Sequence, residues 1–358
     1  MSQLFTPLSI RGVSLRNRVA VSPMCQYTSV DGFASDWHLV HLGGLAVGGA
    51  GLVFCEATAV APDGRISPQD LGIWDDAHLP MLSRITEFIA SQGAVPGIQL
   101  AHAGRKASTH RPWGGSGTVS VENGGWENVV APSAIAFSES YPHPHALTVD
   151  GIALVIEAFR AAAVRARAAG FRVAEVHAAH GYLVHEFLSP LSNTRTDHYG
   201  GSLTNRARLC LEIVDAVRSV WSDRDPVFVR MSATDWTAGG WTLEESVQLA
   251  RWLKAAGVDL IDVSSGGNVH GATVPVGPGY QVPFARTIRT EAEVLTAAVG
   301  MITNAEQAEG IVASGSADLV MLARELLRQP HWPLLAASEL GAVIPWPSQY
   351  ERARPPKP

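Results

Sequence analysis

The fold of this chain is indicated most clearly by residues 172–187, Arg172-Val-Ala-Glu-Val-His177-Ala-Ala-His180-Gly-Tyr182-Leu-Val-His-Glu-Phe187. The segment 173–176 is short, apolar and partly β-branched, which is typical of a buried strand. His177, His180 and Tyr182 follow at its carboxyl end. Loops in that position carry function in α/β folds, so we expect the three side chains to converge on one site.

The residue types in this cluster point to a particular chemistry. Two imidazoles and a phenol all donate hydrogen bonds, and a phenol also releases a proton. This combination suits an anionic oxygen, or a carbonyl that gains negative charge, with a proton source beside it. The alternatives are ordinary polar loop residues and a metal site. We expect no metal, because no cysteine or carboxylate pattern supplies a third ligand.

Eight apolar runs recur along the chain, and amphipathic stretches separate them. The runs are 19–22, 51–59, 95–101, 173–176, 227–231, 260–263, 293–300 and 319–322. Helical patterns lie at 36–47, 79–91, 149–169, 203–220, 243–256 and 305–314. Eight βα units predict an α/β fold, a single (β/α)₈ TIM barrel spanning 1–358. A doubly wound sheet is the alternative, which the lack of a GxGxxG motif after the first run disfavours.

Two segments stand outside this repeat. The connection 104–148 is long and rich in Gly, Pro, Ser and His, and we expect it to cap the catalytic face after the third strand. The tail, 341–358, ends in a proline-rich stretch.

Composition excludes several classes of protein. Lys and Arg number 27 against 33 Asp and Glu, so the net charge of −6 disfavours nucleic-acid binding. Cys25, Cys55 and Cys210 are far apart and lack CxxC spacing, which argues against a disulfide framework or a zinc site. Neither a signal peptide nor an apolar run of membrane-spanning length is evident. A cytoplasmic location and no membrane partner are therefore expected.

Polar or small residues lie at the carboxyl end of each predicted strand, where a barrel gathers them into one site. Gly300 and Arg324 close the last two strands, a place where barrels commonly bind phosphate. A salt bridge at the barrel rim is the alternative role for Arg324. Gln99 and Arg230 are on inward-facing strand ends, and a buried arginine needs an anionic partner.

Several motifs, taken in order, resemble the old yellow enzymes over nearly the full chain. They are Leu15-Arg16-Asn17-Arg18, Ser22-Pro23-Met24-Cys25-Gln26-Tyr27, Gln99-Leu-Ala-His102-Ala-Gly-Arg105-Lys106, His177-Ala-Ala-His180-Gly-Tyr182 through Gly201, Gly300-Met-Ile-Thr303, Leu322-Ala-Arg324-Glu325 and Gln349-Tyr-Glu-Arg352. The bacterial branch of NADPH dehydrogenases and xenobiotic reductases, with a cysteine near the flavin, is the most similar part of that family.

The resemblance implies a barrel that binds FMN without a covalent link and uses NADPH to reduce activated C=C bonds. It implies catalytic roles for Tyr182, His177, His180 and Cys25, with Tyr182 protonating the substrate and the two histidines binding its carbonyl or nitro oxygen. The residues matching FMN contacts are Ser22, Pro23, Met24, Cys25, Ala57, Gln99, Arg230, Gly300, Ala323 and Arg324.

The resemblance also implies substrate contacts and assembly. Tyr27 matches a phenol of the substrate pocket, and Arg352 matches an arginine that enters a neighbouring subunit's site. A homodimer or homotetramer is therefore expected. Relatives have Gly where this chain has Ala323, whose Cβ would crowd the phosphate.

Two other functions are alternatives to this one. One is a non-redox barrel lyase or isomerase acting on a phosphorylated substrate, which requires a Schiff-base lysine or paired carboxylates. The chain has few lysines, and none lies at a predicted strand end. The other is a flavin-storage protein, which would leave Tyr182 without a purpose.

Overall fold

A computed structural model describes residues 2–355 of the chain. Eight parallel strands close into a barrel in the order β10-β11-β12-β3-β4-β5-β8-β9. The strands are β1 (Leu8–Ile10), β2 (Val13–Leu15), β3 (Val19–Val21), β4 (Leu52–Ala59), β5 (Val95–Ala101), β6 (Val130–Ala131), β7 (His145–Ala146), β8 (Val173–Ala178), β9 (Val227–Ser232), β10 (Leu260–Ser264), β11 (Leu295–Ala298) and β12 (Leu319–Leu322). The predicted (β/α)₈ barrel is confirmed, and all eight predicted runs contribute a strand to it.

Helices surround the barrel. They are α1 (Asp36–Val47), α2 (Leu79–Ser91), α3 (Val149–Ala168), α4 (Leu183–Leu188), α5 (Leu203–Val220), α6 (Leu243–Ala255), α7 (Val282–Ala292), α8 (Ala305–Ala313), α9 (Arg324–Arg328) and α10 (Trp332–Glu339). Helix α2 buries Leu82, Ile85 and Ile89 on one face, the spacing expected of an amphipathic helix against a sheet. None of the helices within 2–355 is long and apolar enough to cross a membrane.

Helix α7 was not predicted from the sequence. The helix is amphipathic, but its buried positions, Ala285, Ile288 and Ala292, are few and mostly small, so it carries little apolar surface among its arginines and threonines. The helix ends at Glu293, which adopts a left-handed φ of 51°. The predicted seventh strand, 293–300, is therefore too long, and β11 begins only after this turn.

The amino end of the barrel is closed by a small hairpin. Strands β1 and β2 pair antiparallel, and Ile10, Val13 and Leu15 pack in one cluster with Phe54 and Phe228 of the barrel strands. Burial of this apolar surface stabilises the amino end of the barrel by roughly 25 cal/mol per Å². The carboxyl ends of the strands are left as the face at which polar side chains gather.

The segment 104–148 lies beside that face. It contains little regular structure, apart from the short pair β6 and β7. Arg195 donates hydrogen bonds from its guanidinium to the carbonyls of Pro132 (2.9 Å) and Leu147 (2.5 Å). The Arg65 guanidinium lies over the Trp126 ring, 4.9 Å from its centroid, and so joins this segment to the loop after β4.

Candidate active site

Three aromatic side chains meet at the carboxyl end of β8. The His177 ring lies 5.2 Å from the His180 ring and 5.0 Å from the Tyr182 ring, centroid to centroid. This geometry depends on a sharp turn, since His180 and Gly181 both adopt left-handed φ values of 59° and 71°. A Cβ on Gly181 would lie 2.3 Å from the carbonyl oxygen of Gly267, so only glycine fits. The sequence motif therefore produces the convergence that its spacing suggested.

Both imidazoles are neutral hydrogen-bond donors at neutral pH. Burial, reinforced by the Arg230 charge, holds the pKa of His177 and of His180 well below the usual range. His177 Nδ1 accepts from the Ala179 amide (3.3 Å), which leaves the ring proton on Nε2. His180 Nε2 lies 2.6 Å from Ser264 Oγ. Burial, and then Cys25, raises the pKa of Tyr182 well above its usual value, so its phenol keeps its proton.

A buried pair supports the turn from beneath. The Gly181 amide donates to His185 Nδ1 (2.9 Å), and His185 Nε2 lies 3.1 Å from Asp235 Oδ1. Asp235 also accepts from Ser189 Oγ (2.5 Å) and from the Trp241 amide (2.9 Å). Burial alone would raise the pKa of the Asp235 carboxyl. The hydrogen-bond donors, of which the His185 imidazole has the largest effect, outweigh burial and lower this pKa to about 2. The turn that presents Tyr182 thus rests on a fixed carboxylate.

The loop after β3 carries the thiol and the second phenol. Cys25 and Tyr27 are partly buried there, and the Tyr27 ring meets the exposed Trp113 edge to face at 5.7 Å. Burial raises the pKa of the Cys25 thiol and of the Tyr27 phenol, so both stay protonated. The backbone amide of Gln26, between these two residues, donates to Glu56 Oε2 (2.8 Å) and so fixes the loop to β4.

Four polar side chains form a buried layer just inside the barrel. Gln99 Nε2 donates to Glu175 Oε1 (2.7 Å), and Arg230 Nε lies 3.0 Å from Asp262 Oδ2. Arg230 Nη1 donates to the buried Ser22 Oγ (3.0 Å). Burial raises the pKa of both carboxyls. The anionic partner expected for a buried Arg230 is thus present within the protein, as the Asp262 carboxyl.

A cavity of about 310 Å³ opens beside this layer. It is lined by Arg230, Ser264, Tyr280, Gln281, Val299, Gly300, Met301, Ile302, Thr303, Met321, Ala323, Arg324, Glu325 and Arg328. No carboxylate within residues 2–355 lies at ion-pair distance from Arg324, whereas Arg328 contacts Glu325 at 2.5 Å. The predicted rim salt bridge for Arg324 is therefore not formed.

The backbone of this cavity suits a phosphate. Gly300 has a left-handed φ of 121°, and a Cβ there would lie 2.9 Å from both Gln281 Nε2 and Tyr280 Cε1. Ala323 has a φ of −113°, outside the left-handed region that favours glycine. A phosphate group fits an unpaired guanidinium and the amides of these two loops.

The remaining predicted residues are distributed around the same face. Pro23 and Met24 lie half-buried in the loop after β3, and Ala57 lies in β4 directly after a register shift. Arg352 is exposed in the helical turn 348–353. The structure thus brings the other site residues to the carboxyl face of one chain and leaves Arg352 on its surface.

Lys106 reaches the site although it does not lie at a strand end. Its Nζ donates to the carbonyl of His180 (2.8 Å) and to that of Gly267, and it lies 5.6 Å from the centroid of the Tyr182 ring. Burial lowers the pKa of its ammonium to about 8. The sequence indicated this position only through the motif Gly104-Arg105-Lys106, which matches the family.

Comparison with known proteins agrees with this geometry. Residues 3–342 match the NADH:flavin oxidoreductase / NADH oxidase family. Two relatives are the NADPH dehydrogenases of Bacillus licheniformis, 51% identical over 353 residues, and of Bacillus subtilis, 48% identical over 352 residues; each alignment covers 98% of both chains.

Solved structures share the fold. Morphinone reductase superposes with a TM-score of 0.79 at 29% identity, covering 96% of this chain and 91% of that one. A 2-naphthoyl-CoA reductase superposes with a TM-score of 0.83 at 26% identity, covering 92% of this chain and only 51% of that chain, so this chain spans about half of it. The predicted likeness to the old yellow enzymes and the predicted FMN cofactor are confirmed, and the chain belongs to the NADH:flavin oxidoreductase / NADH oxidase family.

Proposed function

We propose that this protein is an NADPH-dependent ene reductase that reduces C=C bonds conjugated to a carbonyl or nitro group. Enones, enals, maleimides and nitroalkenes are the substrate class. The observation that carries the proposal is the convergence of two neutral imidazoles and one protonated phenol beside the cavity described above. FMN, when bound, would supply hydride transfer between the reduced nicotinamide and the alkene.

The residues of the chain supply binding and the proton. His177 donates to the carbonyl or nitro oxygen of the substrate from Nε2, and His180 donates to it from Nδ1, with Ser264 Oγ donating to His180 Nε2. Negative charge develops on that oxygen as hydride reaches the β-carbon, so both hydrogen bonds strengthen in the transition state. The Tyr182 O–H bond then breaks, and its proton goes to the α-carbon. Cys25 and Tyr27 shape the other side of the pocket.

The cofactor site is proposed from the same face. Gln99 and Arg230 would hold the pyrimidine edge of FMN, and Ser22, Pro23, Met24, Cys25 and Ala57 would contact its ring system. Gly300, Ala323 and Arg324 would hold the phosphate, with the unpaired Arg324 guanidinium as its charged partner.

The Schiff-base form of the lyase or isomerase hypothesis is not supported by the site. A Schiff-base lysine needs a free amine aimed at the substrate. Lys106 is the lysine that reaches the site, and its ammonium is bound to two backbone carbonyls.

Reduction of 2-cyclohexenone in D₂O tests the proposed direction of addition. Deuterium at the α-carbon is expected, because the α-hydrogen comes from an exchangeable phenol proton. Cyclohexanone incubated with the same enzyme in D₂O measures exchange by enolisation and is subtracted. A product without α-deuterium beyond that background would contradict proton delivery by Tyr182.

Arg324→Ala is expected to weaken FMN binding by about 10- to 100-fold. The variant removes a charge-assisted hydrogen bond that contributes about 1.5–3 kcal/mol. Flavin absorbance retained after ultrafiltration at graded FMN concentrations measures the affinity. Arg328→Ala is the matched control, because that side chain lines the same cavity but already contacts Glu325, and its loss should be smaller. Equal losses in both variants would contradict the assignment of Arg324.

We also propose that the active enzyme is a homo-oligomer in which Arg352 enters the neighbouring subunit's site. The exposure of Arg352 in its own subunit supports this arrangement. Truncation after Pro347 should raise KM for 2-cyclohexenone by about two- to fivefold, as expected for a partly exposed charged contact. Truncation after Arg354 is the control, since it keeps Arg352. If both truncations leave KM unchanged, Arg352 has no part in the site.

A further inference from the structure

Asp70 is a buried acid that the proposed mechanism does not use. It lies in the loop after β4 and is 2% exposed. Its Oδ2 accepts from the Ile66 amide (2.7 Å), and its Oδ1 accepts from the Ser67 amide (3.2 Å) and hydroxyl (2.7 Å). A carboxylate has about four acceptor positions, so one remains on Oδ2.

Asp70 and Tyr182 line one small cavity. Ala57, Ala59, Gly64, Ile66, Ala101 and Ala103 complete its walls. Its volume is about 10 Å³, which is the space of one water position. Because the other walls are mainly apolar, Asp70 and Tyr182 are the two side-chain partners available to a water there.

Burial brings the Asp70 carboxyl to its titration range near neutral pH. Burial raises the pKa of the Asp70 carboxyl to about 7; Ser67 opposes this shift and Glu56 adds to it. Arg65 faces the carboxyl from the same loop, and Cys25, Tyr27 and Tyr182 face it from two other loops. The pKa of Tyr182 is raised far more, so a proton moves downhill from Asp70 to a Tyr182 phenolate.

We propose that Asp70 resupplies the proton that Tyr182 gives to the substrate, through a water held in this cavity. After Tyr182 O–H has protonated the α-carbon, the phenolate takes a proton from the water. The Asp70 O–H bond breaks to replace that proton, and the resulting carboxylate is reprotonated from solvent before the next turnover. No electrons are transferred in these steps. The inference rests on the proposed role of Tyr182, and Asp70 acts through Tyr182 without touching substrate.

The test follows the tyrosinate formed in one turnover. Pre-reduced holoenzyme is mixed with one equivalent of 2-cyclohexenone, and tyrosinate is followed by its ultraviolet absorbance. In Asp70→Asn the tyrosinate should persist about tenfold longer or more than in the wild type, while flavin reoxidation in that turnover stays within about threefold. Asp225→Asn is the control, because Asp225 is a buried acid paired with Arg172 at the amino end of the barrel. The tyrosinate lifetime in Asp225→Asn should equal that of the wild type.

A second readout is independent of turnover and of the Asp70→Asn variant's stability. The pKa values of Glu175, Glu186 and Asp262 are raised as well, so the Asp70 band is taken from the infrared difference between the wild-type and Ser67→Ala holoenzymes. In the wild type this protonated carboxyl band should disappear as pH rises through about 7. Ser67→Ala removes a donor to the carboxylate, so the band should titrate at a pH about one unit higher. A tyrosinate lifetime unchanged in Asp70→Asn, or a carboxyl band that Ser67→Ala does not move, overturns the proposal. A Tyr182→Phe variant with normal alkene reduction would instead overturn the proposed function itself.

Discussion

Tyr182→Phe is expected to slow alkene reduction by about 10²- to 10⁴-fold while leaving flavin reduction by NADPH within a few-fold. The first effect is the range that general-acid catalysis contributes in enzymes. The two half-reactions separate because only the alkene step needs a proton. The variant keeps the ring that packs against His177 at 5.0 Å, so the fold of the turn should survive.

Anaerobic stopped-flow absorbance measures the two half-reactions separately. NADPH is mixed with oxidised enzyme in one experiment, and 2-cyclohexenone with pre-reduced enzyme in the other. Tyr199→Phe is a matched control, because that hydroxyl contacts Glu212 on α5, away from the site. Equal slowing of both half-reactions in Tyr182→Phe would show that the phenol supports structure or cofactor binding, and its role as acid would be rejected.

Replacement of both histidines by alanine is expected to have the second largest effect. Each lost donor to a developing oxyanion costs about 10²- to 10³-fold in rate, although losses within one cluster do not add fully. The His177→Ala/His180→Ala double variant should therefore reduce enones at least about 10²-fold more slowly. Affinity for an inhibitory phenol, which presents an oxygen to the same donors, should fall by about tenfold or more.

Phenol binding followed through the flavin spectrum gives the affinity without turnover. The pKa of both imidazoles lies well below the usual range, so neither gains a proton between pH 6 and 8. The affinity for the neutral phenol should thus change little across that interval in the wild type. His198→Ala, an exposed histidine beyond the site, is the control. Unchanged phenol affinity in the double variant would exclude the pair as the anion site.

The barrel was predictable because its strands are short apolar runs, each buried in the closed sheet. The start of α6 has a sequence signature too, since Glu245 follows Thr242 by three residues as in a capping box, and the Glu245 backbone amide donates to Thr242 Oγ1 (3.3 Å). Helix α7 was missed because its buried stripe is only a few residues wide. The start of the seventh strand was therefore predicted too early. The left-handed φ of Glu293, which separates α7 from β11, has no strong signal in the sequence.

The site was predictable where residues lie at strand ends and unpredictable where a partner comes from another strand or loop. Arg230 was identified from its position in β9, but its partner Asp262 comes from the neighbouring β10. Asp70 sits in a loop without a motif, and only folding brings it to the cavity beside Tyr182. Such pairs depend on register and loop closure, which residue spacing along one segment does not specify.

The most direct test of flavin-dependent alkene reduction is the visible spectrum of the purified protein, followed through anaerobic addition of NADPH and then 2-cyclohexenone. The expected result is a yellow protein that bleaches with NADPH and regains its colour with the enone, so that both half-reactions appear in one sample. A colourless protein that FMN does not reconstitute, or a bleached protein that the enone leaves bleached, would contradict the proposed function.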